Sequence, residues 1–345
     1  MRKIGMYGGK FIPLHKGHVK CIIEASTMVD ELYVVLCYNE KKERPLFKDA
    51  KIDYVDYKTR YRWLCQLTKH LPHVKIVAME DDYDWHNGAR NIKKLIGFPI
   101  HTVFFGGDYE YDIWKEIYPE AKSFYKFLRT SEDISATKIR TEGAFKYWDM
   151  IPNVCKSHYV KKIAIVGSES CGKSTLTANL AAIYNTNYVH EYGRDVCEEA
   201  GGEINMNVND FKKILCGQVM LEEEAIKNSN KLLFIDSEQI VTNYYLNFLD
   251  CNKHTVNDYI QASLLCQSIS KLQKYDLVFL MAPTVKWVDD GTRIHGEQSE
   301  REMNHEILRD MYKKAGIKVI EINESSYHNR LNKIKEYIGE SYEFI

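Results

Sequence analysis

Lys162-Ile163-Ala164-Ile165-Val166-Gly167-Ser168-Glu169-Ser170-Cys171-Gly172-Lys173-Ser174-Thr175 is the stretch that decides the fold. Its first five residues have the length and apolar character of a buried strand. A Gly-x4-Gly-Lys-Ser pattern follows, and helical periodicity then runs from Lys173 to Tyr184. Strand, glycine loop and helix in that order form a phosphate-binding loop. Its backbone N–H groups cradle a nucleotide, Lys173 reaches the β and γ phosphates, and Ser174 contributes to Mg²⁺. Gly167, Ser168, Glu169, Ser170, Cys171, Gly172, Lys173, Ser174 and Thr175 are therefore read as one ATP cradle. Cys171 has no evident base partner and is incidental to it.

The same alternation of strand and helix extends both ways. Downstream, strands are expected at Leu232 to Ile235, Leu277 to Met281 and Val319 to Ile322. Upstream they are expected at Lys3 to Tyr7, Leu32 to Cys37, Val74 to Met79, Thr102 to Phe105 and Ser123 to Phe127. Between these lie amphipathic stretches such as Asp53 to His70, where Tyr57, Tyr61, Leu64, Leu67 and Leu71 recur at helical spacing. The pattern predicts an α/β protein of two doubly wound parallel-sheet domains. Ile151 to Tyr159 has little periodicity and is read as the junction, dividing the chain into residues 1–154 and 155–345. The halves share architecture but no repeated motif.

Composition narrows the classes. The chain has 345 residues, 45% hydrophobic and 28% charged, with 47 Lys and Arg against 48 Asp and Glu. A net charge of -1 gives no global field toward nucleic acid or anionic membrane. The longest apolar stretch, Leu277 to Ala282, is far short of the roughly 20 residues of a membrane helix. A strand opening at Lys3 leaves no room for a signal peptide. The nine cysteines include no Cys-x-x-Cys pair and read as small buried hydrophobes in a reducing compartment, so a cytoplasmic location is expected.

What surrounds the glycine loop points to a kinase. An Asn-Lys-x-Asp guanine-reading segment is absent. The strand Leu232 to Ile235 leads into Asp236, where a carboxylate completes a magnesium site with Ser174. Tyr188-Val189-His190-Glu191-Tyr192-Gly193-Arg194-Asp195 leaves another strand with two carboxylates and an arginine. A hydroxyl acceptor must lose a proton, and Glu191 is the first candidate base, Asp195 the second. A polar segment holding Trp287, Asp289, Arg293 and, further on, Arg301 reads as a lid whose arginines close over the transferring phosphoryl.

The N-terminal half carries a second constellation, Gly8-Gly9-Lys10-Phe11-Ile12-Pro13-Leu14-His15-Lys16-Gly17-His18, between the first strand and an apolar helix. Ligands of an open parallel sheet bind beyond the strands' carboxyl ends, and a helix start supplies free N–H groups. Further along stands Ile134-Ser135-Ala136-Thr137-Lys138-Ile139-Arg140. Together, in this order, the segments resemble the two signatures of the nucleotidyltransferase superfamily that transfers AMP or CMP from a nucleoside triphosphate. The resemblance implies that His15 and His18 contact the phosphates, His18 nearest the α-phosphate. Lys42 or Arg44, with Arg140, would hold the departing pyrophosphate, and Mg²⁺ would bridge the phosphates. Gly8, Gly9, Lys10, Phe11, Ser135 and Thr137 complete that ATP site. For the acceptor, Trp85, Asn87 and Gly88 follow the third strand and offer an aromatic and an amide suited to a pyridinium carboxamide. Gly106, Asp108 and Tyr109 follow the fourth strand and would approach a ribose closely.

An adenylyltransferase joined to a phosphate-loop kinase, with Gly-Ser-Glu-Ser-x-Gly-Lys-Ser-Thr from Gly167, His-Glu-Tyr-x-Arg-Asp from His190 and Trp-Val-Asp-Asp-Gly-x-Arg from Trp287, resembles the bifunctional nicotinamide-nucleotide adenylyltransferase/ribosylnicotinamide kinase (NadR-type) family. That implies phosphorylation of nicotinamide riboside by ATP, then adenylylation of the mononucleotide (NMN) to NAD and pyrophosphate. The partners implied are these small molecules, without nucleic acid or membrane; a homo-oligomer is compatible but not specified. Some members carry an N-terminal helix-turn-helix domain, for which the opening strand leaves no room. Gly193 and Ser237-Glu238 depart from the family's common residues and leave a second magnesium carboxylate undetermined. Two rivals remain: phosphopantetheine adenylyltransferase with dephospho-coenzyme A kinase, and a non-catalytic NAD sensor. The segments from His190 and Trp287 disfavour the first; His15, His18, Arg140 and Lys173 disfavour the second.

Overall fold

Five short strands, all paired in parallel, build the first sheet: β1 (Ile4–Gly9), β2 (Glu31–Tyr38), β3 (Val74–Glu80), β4 (Thr102–Phe105) and β5 (Ser123–Lys126), ordered β3-β2-β1-β4-β5. Five more build the second: β6 (Lys161–Val166), β7 (Tyr188–Val189), β8 (Leu232–Asp236), β9 (Leu277–Met281) and β10 (Ile320–Ile322), ordered β10-β9-β6-β8-β7. The computed structural model describes residues 2–82, 84–106, 110–127, 134–248, 256–286 and 297–342. It divides into two units, Met1–Tyr159 and Val160–Ile345.

The central strands are apolar throughout because helices cover both faces. Ile163 to Val166 and Leu232 to Ile235 are without exposure. The helix Trp85–Ile96 shows how a crossover helix is specified. The Asp84 carboxylate caps it by accepting from Asn87 N, Ala89, Ile92 and Ile96 recur on its buried face, and Gly97 ends it in the left-handed conformation at φ 69°. That face joins Ile4, Met6, Val103, Phe105 and Tyr118 in one core. The second unit's core gathers Ala164, Val166, Tyr244, Val278, Leu280, Leu308 and Tyr312.

Three expectations need correction. β1 runs through Gly8 and Gly9, which pair with Val35 and Leu36 of β2, so these glycines are strand residues and neither adopts positive φ. Gly9 is needed because a Cβ there would lie 3.0 Å from the Phe11 ring. The amphipathic stretch from Asp53 is helical only over Tyr57–Leu67, and its buried face is Arg60, Trp63 and Leu64 rather than the tyrosine line. The presumed junction is not a bare linker. It holds a helical turn, Asn153–Lys156, with Ile151 and Cys155 fully buried, and Tyr159 lies beside Trp63. Aperiodic sequence here reflects a short segment with large anchors.

Arg60 is the largest side chain without exposure. Its guanidinium donates to Glu43 Oε2 at 2.5 Å and to the Lys10 carbonyl at 2.6 Å, and Glu43 is equally enclosed. Glu43 also accepts from Tyr54 Oη at 2.9 Å and from Asn39 N at 3.2 Å. Every charge in this group is answered, but removing one partner strands the other in low dielectric. Arg60→Ala should therefore cost about 3–5 kcal/mol of unfolding free energy in denaturant titrations. A loss below about 1 kcal/mol would mean that water reaches Glu43.

Candidate active sites

In the first sheet the chain crosses from β1 to β2 on one side and from β3 to β4 on the other. This leaves a crevice at the carboxyl ends of β1 and β4. The segment leaving β1 enters it. Phe11 is held at φ 49° with its ring buried, and His15 then caps the helix Lys16–Ser26. The His15 backbone N–H donates to His18 Nδ1 at 3.3 Å, which leaves the proton of a neutral His18 on Nε2. The two imidazoles lie 3.7 Å apart between centroids, and Phe11 meets His18 edge-on at 5.1 Å. Gly17 is explained by packing: a Cβ there would sit 3.0 Å from the His15 ring.

The second signature closes on the first. Ser135 caps the helix Ala136–Glu142, and Arg140 turns back from it to donate to the Ile12 carbonyl at 2.5 Å and to Thr137 Oγ1 at 3.0 Å. Segments 128 residues apart are thus bonded at one place. Lys42 reaches the Asp82 carbonyl at 2.9 Å, while Arg44 is exposed, paired with Glu40 and stacked over Tyr54. Lys10 lends its carbonyl to Arg60.

The acceptor residues sit differently from expectation. Trp85, Asn87 and Gly88 form the first turn of a helix rather than a loop before it. Trp85 is 45% exposed and meets Trp114 edge-on, and the Asn87 amide is engaged by Arg90 and Asp82. Gly88 has ordinary space for a Cβ, so packing does not demand glycine there. Gly106 follows β4 directly; Asp108 and Tyr109 lie outside the described residues.

In the second unit the loop after β6 winds through positive φ at Gly167, Ser170 and Gly172. A Cβ on Gly167 would come within 2.9 Å of the Met281 carbonyl, and one on Gly172 within 2.7 Å of the Tyr327 ring. Lys173 opens its helix and donates to the Ser168 carbonyl at 2.9 Å. Asp236, ending β8, is 2% exposed, and the Ser174 hydroxyl bonds to it. Burial first, then the negative charge of Glu191, pushes the Asp236 carboxyl up to about 6, against the pull of Lys173, Ser174 and Arg194. Lys173, Ser174, Glu191, Arg194 and Asp236 are therefore one electrostatic group. Asp195 instead pairs with His190 at 2.7 Å, both side chains about half exposed.

Arg301 is not on a lid. It lies in the helix Gln298–Lys314, 3% exposed, and donates to the carbonyls of Val285 at 3.1 Å and Ser170 at 3.5 Å. Trp287, Asp289 and Arg293 fall outside the described residues. A further arginine was missed by the sequence reading. Arg330 is 1% exposed and donates to the carbonyls of Cys171 (2.6 Å), Ala282 (2.7 Å) and Glu324 (2.6 Å) and to Thr284 Oγ1 (2.7 Å). Glu238, next to the magnesium candidate, caps the helix Gln239–Leu246 and accepts from Tyr312, so it faces the core. The second magnesium carboxylate is not there.

Ser174 and Asp236 fit a magnesium ion. Both offer oxygen, and Asp236 Oδ1 is buried without a hydrogen-bond partner. Magnesium in phosphate sites takes one or two protein oxygens and completes its shell with water and phosphate.

The cytidylyltransferase-like family model matches residues 6–142 and the AAA domain model residues 162–330. A relative from Salmonella typhimurium, "Trifunctional NAD biosynthesis/regulator protein NadR", is 31% identical over 98% of this chain and 84% of its own. Its namesake from Escherichia coli is 30% identical over 98% of this chain and 83% of its own. The crystal structure of a NadR protein in complex with NR superposes with a TM-score of 0.81 at 24% identity, covering 98% of this chain and 97% of that one. Likeness along the whole chain, through both phosphate-facing loops, makes this protein a member of the NadR family.

Proposed function

We propose that this chain makes NAD in two consecutive ATP-dependent steps, phosphorylating nicotinamide riboside in the second unit and adenylylating the resulting mononucleotide in the first. One observation carries the reading: each unit holds its own phosphate cradle, His15, His18 and Arg140 in one, Lys173, Ser174 and Asp236 in the other.

In the first unit the acceptor is a phosphate, already an anion. Its oxygen attacks the α-phosphorus of ATP, and pyrophosphate leaves with the bridging electron pair. The residues there need only align the groups and answer charge on the equatorial oxygens. His18 Nε2–H and the N–H groups opening the Lys16–Ser26 helix serve the α-phosphate. Arg140, with Lys42 or Arg44, serves the pyrophosphate. Trp85, Asn87, Gly88 and Gly106, with Asp108 and Tyr109, remain the proposed contacts of the mononucleotide.

In the second unit the 5′-hydroxyl of the riboside attacks the γ-phosphorus, ADP leaves, and the hydroxyl proton passes to a carboxylate. Glu191 is favoured over Asp195 because it shares the electrostatic group of Lys173 and Asp236, whereas Asp195 is held by His190. Ser174 and Asp236 would hold a magnesium ion, which supplies charge neutralisation on the β and γ phosphates. Arg194 and Arg301 lie beside the cradle, and Trp287, Asp289 and Arg293 remain proposed contacts from the segment before Arg301. A cytoplasmic setting goes with this reading, suited by eight described cysteines that are all free; among the described residues no helix is long and apolar enough to cross a membrane.

Incubation with ATP, Mg²⁺ and nicotinamide riboside should yield NAD by mass, with both ADP and pyrophosphate released. Consumption of dephospho-coenzyme A in its place would transfer the protein to the coenzyme A pathway. Lys173→Ala should lower riboside phosphorylation by about 10²-fold or more and leave adenylylation of supplied mononucleotide within about twofold; His18→Ala should do the converse. Loss of both activities in either folded variant contradicts separate cradles. Glu191→Gln should lower the kinase kcat by about 10²-fold or more and Asp195→Asn by far less. Equal losses would remove the preference for Glu191.

A further inference from the structure

Glu169 stands third in the phosphate-binding loop, yet its charge does not suit a phosphate. Both carboxylate oxygens are shielded from solvent, and neither has a hydrogen-bond partner among the described residues. A buried carboxylate left this way is costly, and folds keep one where a ligand answers it. The charge bears on Tyr244 and Tyr245 of the Gln239–Leu246 helix, and Tyr245 also feels Glu191. A second group there lacks a partner: Tyr244 is 1% exposed and its hydroxyl makes no hydrogen bond among the described residues. Lys173 is committed to the phosphate side of the loop. Glu169 and Glu191 therefore put two carboxylates into one field, a setting that attracts a cation.

We propose that Glu169 is the specificity-determining counter-charge for a cationic pyridinium nucleoside on the acceptor side of the kinase site. This rests on the kinase reading above and deepens it: Glu169 recognises the acceptor's positive ring rather than ATP. A neutral ring of the same shape gains nothing from the carboxylate.

The test is Glu169→Gln, near-isosteric and uncharged, assayed with nicotinamide riboside and with its neutral 1,4-dihydro form. The variant should lose roughly 10- to 100-fold in kcat/KM for the cation, mainly through KM. The neutral substrate should change by less than about threefold, and KM for ATP should stay unchanged. Without ligand, the variant's Tm should rise by about 2 °C or more, since a stranded charge is removed. Equal losses on both substrates, a raised KM for ATP, or a lowered Tm would each overturn the assignment. Wild-type protein that phosphorylates neither nucleoside would instead refute the kinase reading, and the assignment would fall with it.

Discussion

A loop that turns its N–H groups toward a polyanion must turn its carbonyls the other way, into the protein, where water cannot solvate them. Both units meet this constraint with buried guanidinium groups. Buried Arg60 takes the Lys10 carbonyl behind the first loop, while half-buried Arg140 takes the Ile12 carbonyl. Arg330 takes the Cys171 carbonyl and Arg301 that of Ser170 behind the second. A guanidinium carries five donors in a fixed fork, so one side chain can hold several carbonyls at once, as Arg330 does. The glycines serve the same end: Gly167 and Gly172 permit the winding, and Gly9 and Gly17 make room for the Phe11 and His15 rings.

Much of this architecture was legible because its signals are local. Apolar runs bounded by polar turns marked the strands, and two signatures marked the loops. Arg60 and Arg330 are not recognisable at first reading because a basic residue in an amphipathic helix is ordinarily a solvated one. A signal existed nonetheless, since each lies on its helix's buried stripe. Arg60 precedes Trp63 and Leu64 by three and four residues, Arg330 precedes Ile334 and Ile338 by four and eight, and Arg301 precedes Leu308 and Tyr312 by seven and eleven. A charge continuing an apolar stripe toward a glycine loop is a readable sign of a buried clamp. Glu43, the partner of Arg60, sits in a four-residue helix too short to show any period.

The misplacements share a cause. Gly8 and Gly9 read as loop because glycine disfavours strands, but pairing with Val35 and Leu36 overrides that preference. Trp85 and Asn87 read only as residues following the third strand, whereas the Asp84 carboxylate caps a helix and draws them into its first turn. Glu169 is read from its motif as part of the ATP loop, and only the folded structure shows that its carboxylate oxygens are shielded and without a hydrogen-bond partner among the described residues. In each case the residue type was read correctly and its partner, remote in sequence, could not be.

The acid-base content of the two units follows the acceptor that each would activate. A phosphate acceptor needs no base, and Glu43 in the first unit is locked into an ion pair with Arg60. A hydroxyl acceptor does need one, and the second cradle has Glu191 within the field of Asp236 and Lys173. Negative charge is unwelcome beside a triphosphate, so a site that keeps Glu169, Glu191 and Asp236 near one must have positive charges to answer them. Lys173 answers Asp236 on the phosphate side. Arg194 acts on Asp236 in the same sense as Lys173. Charge balance thus links the choice of acceptor to the placement of the base.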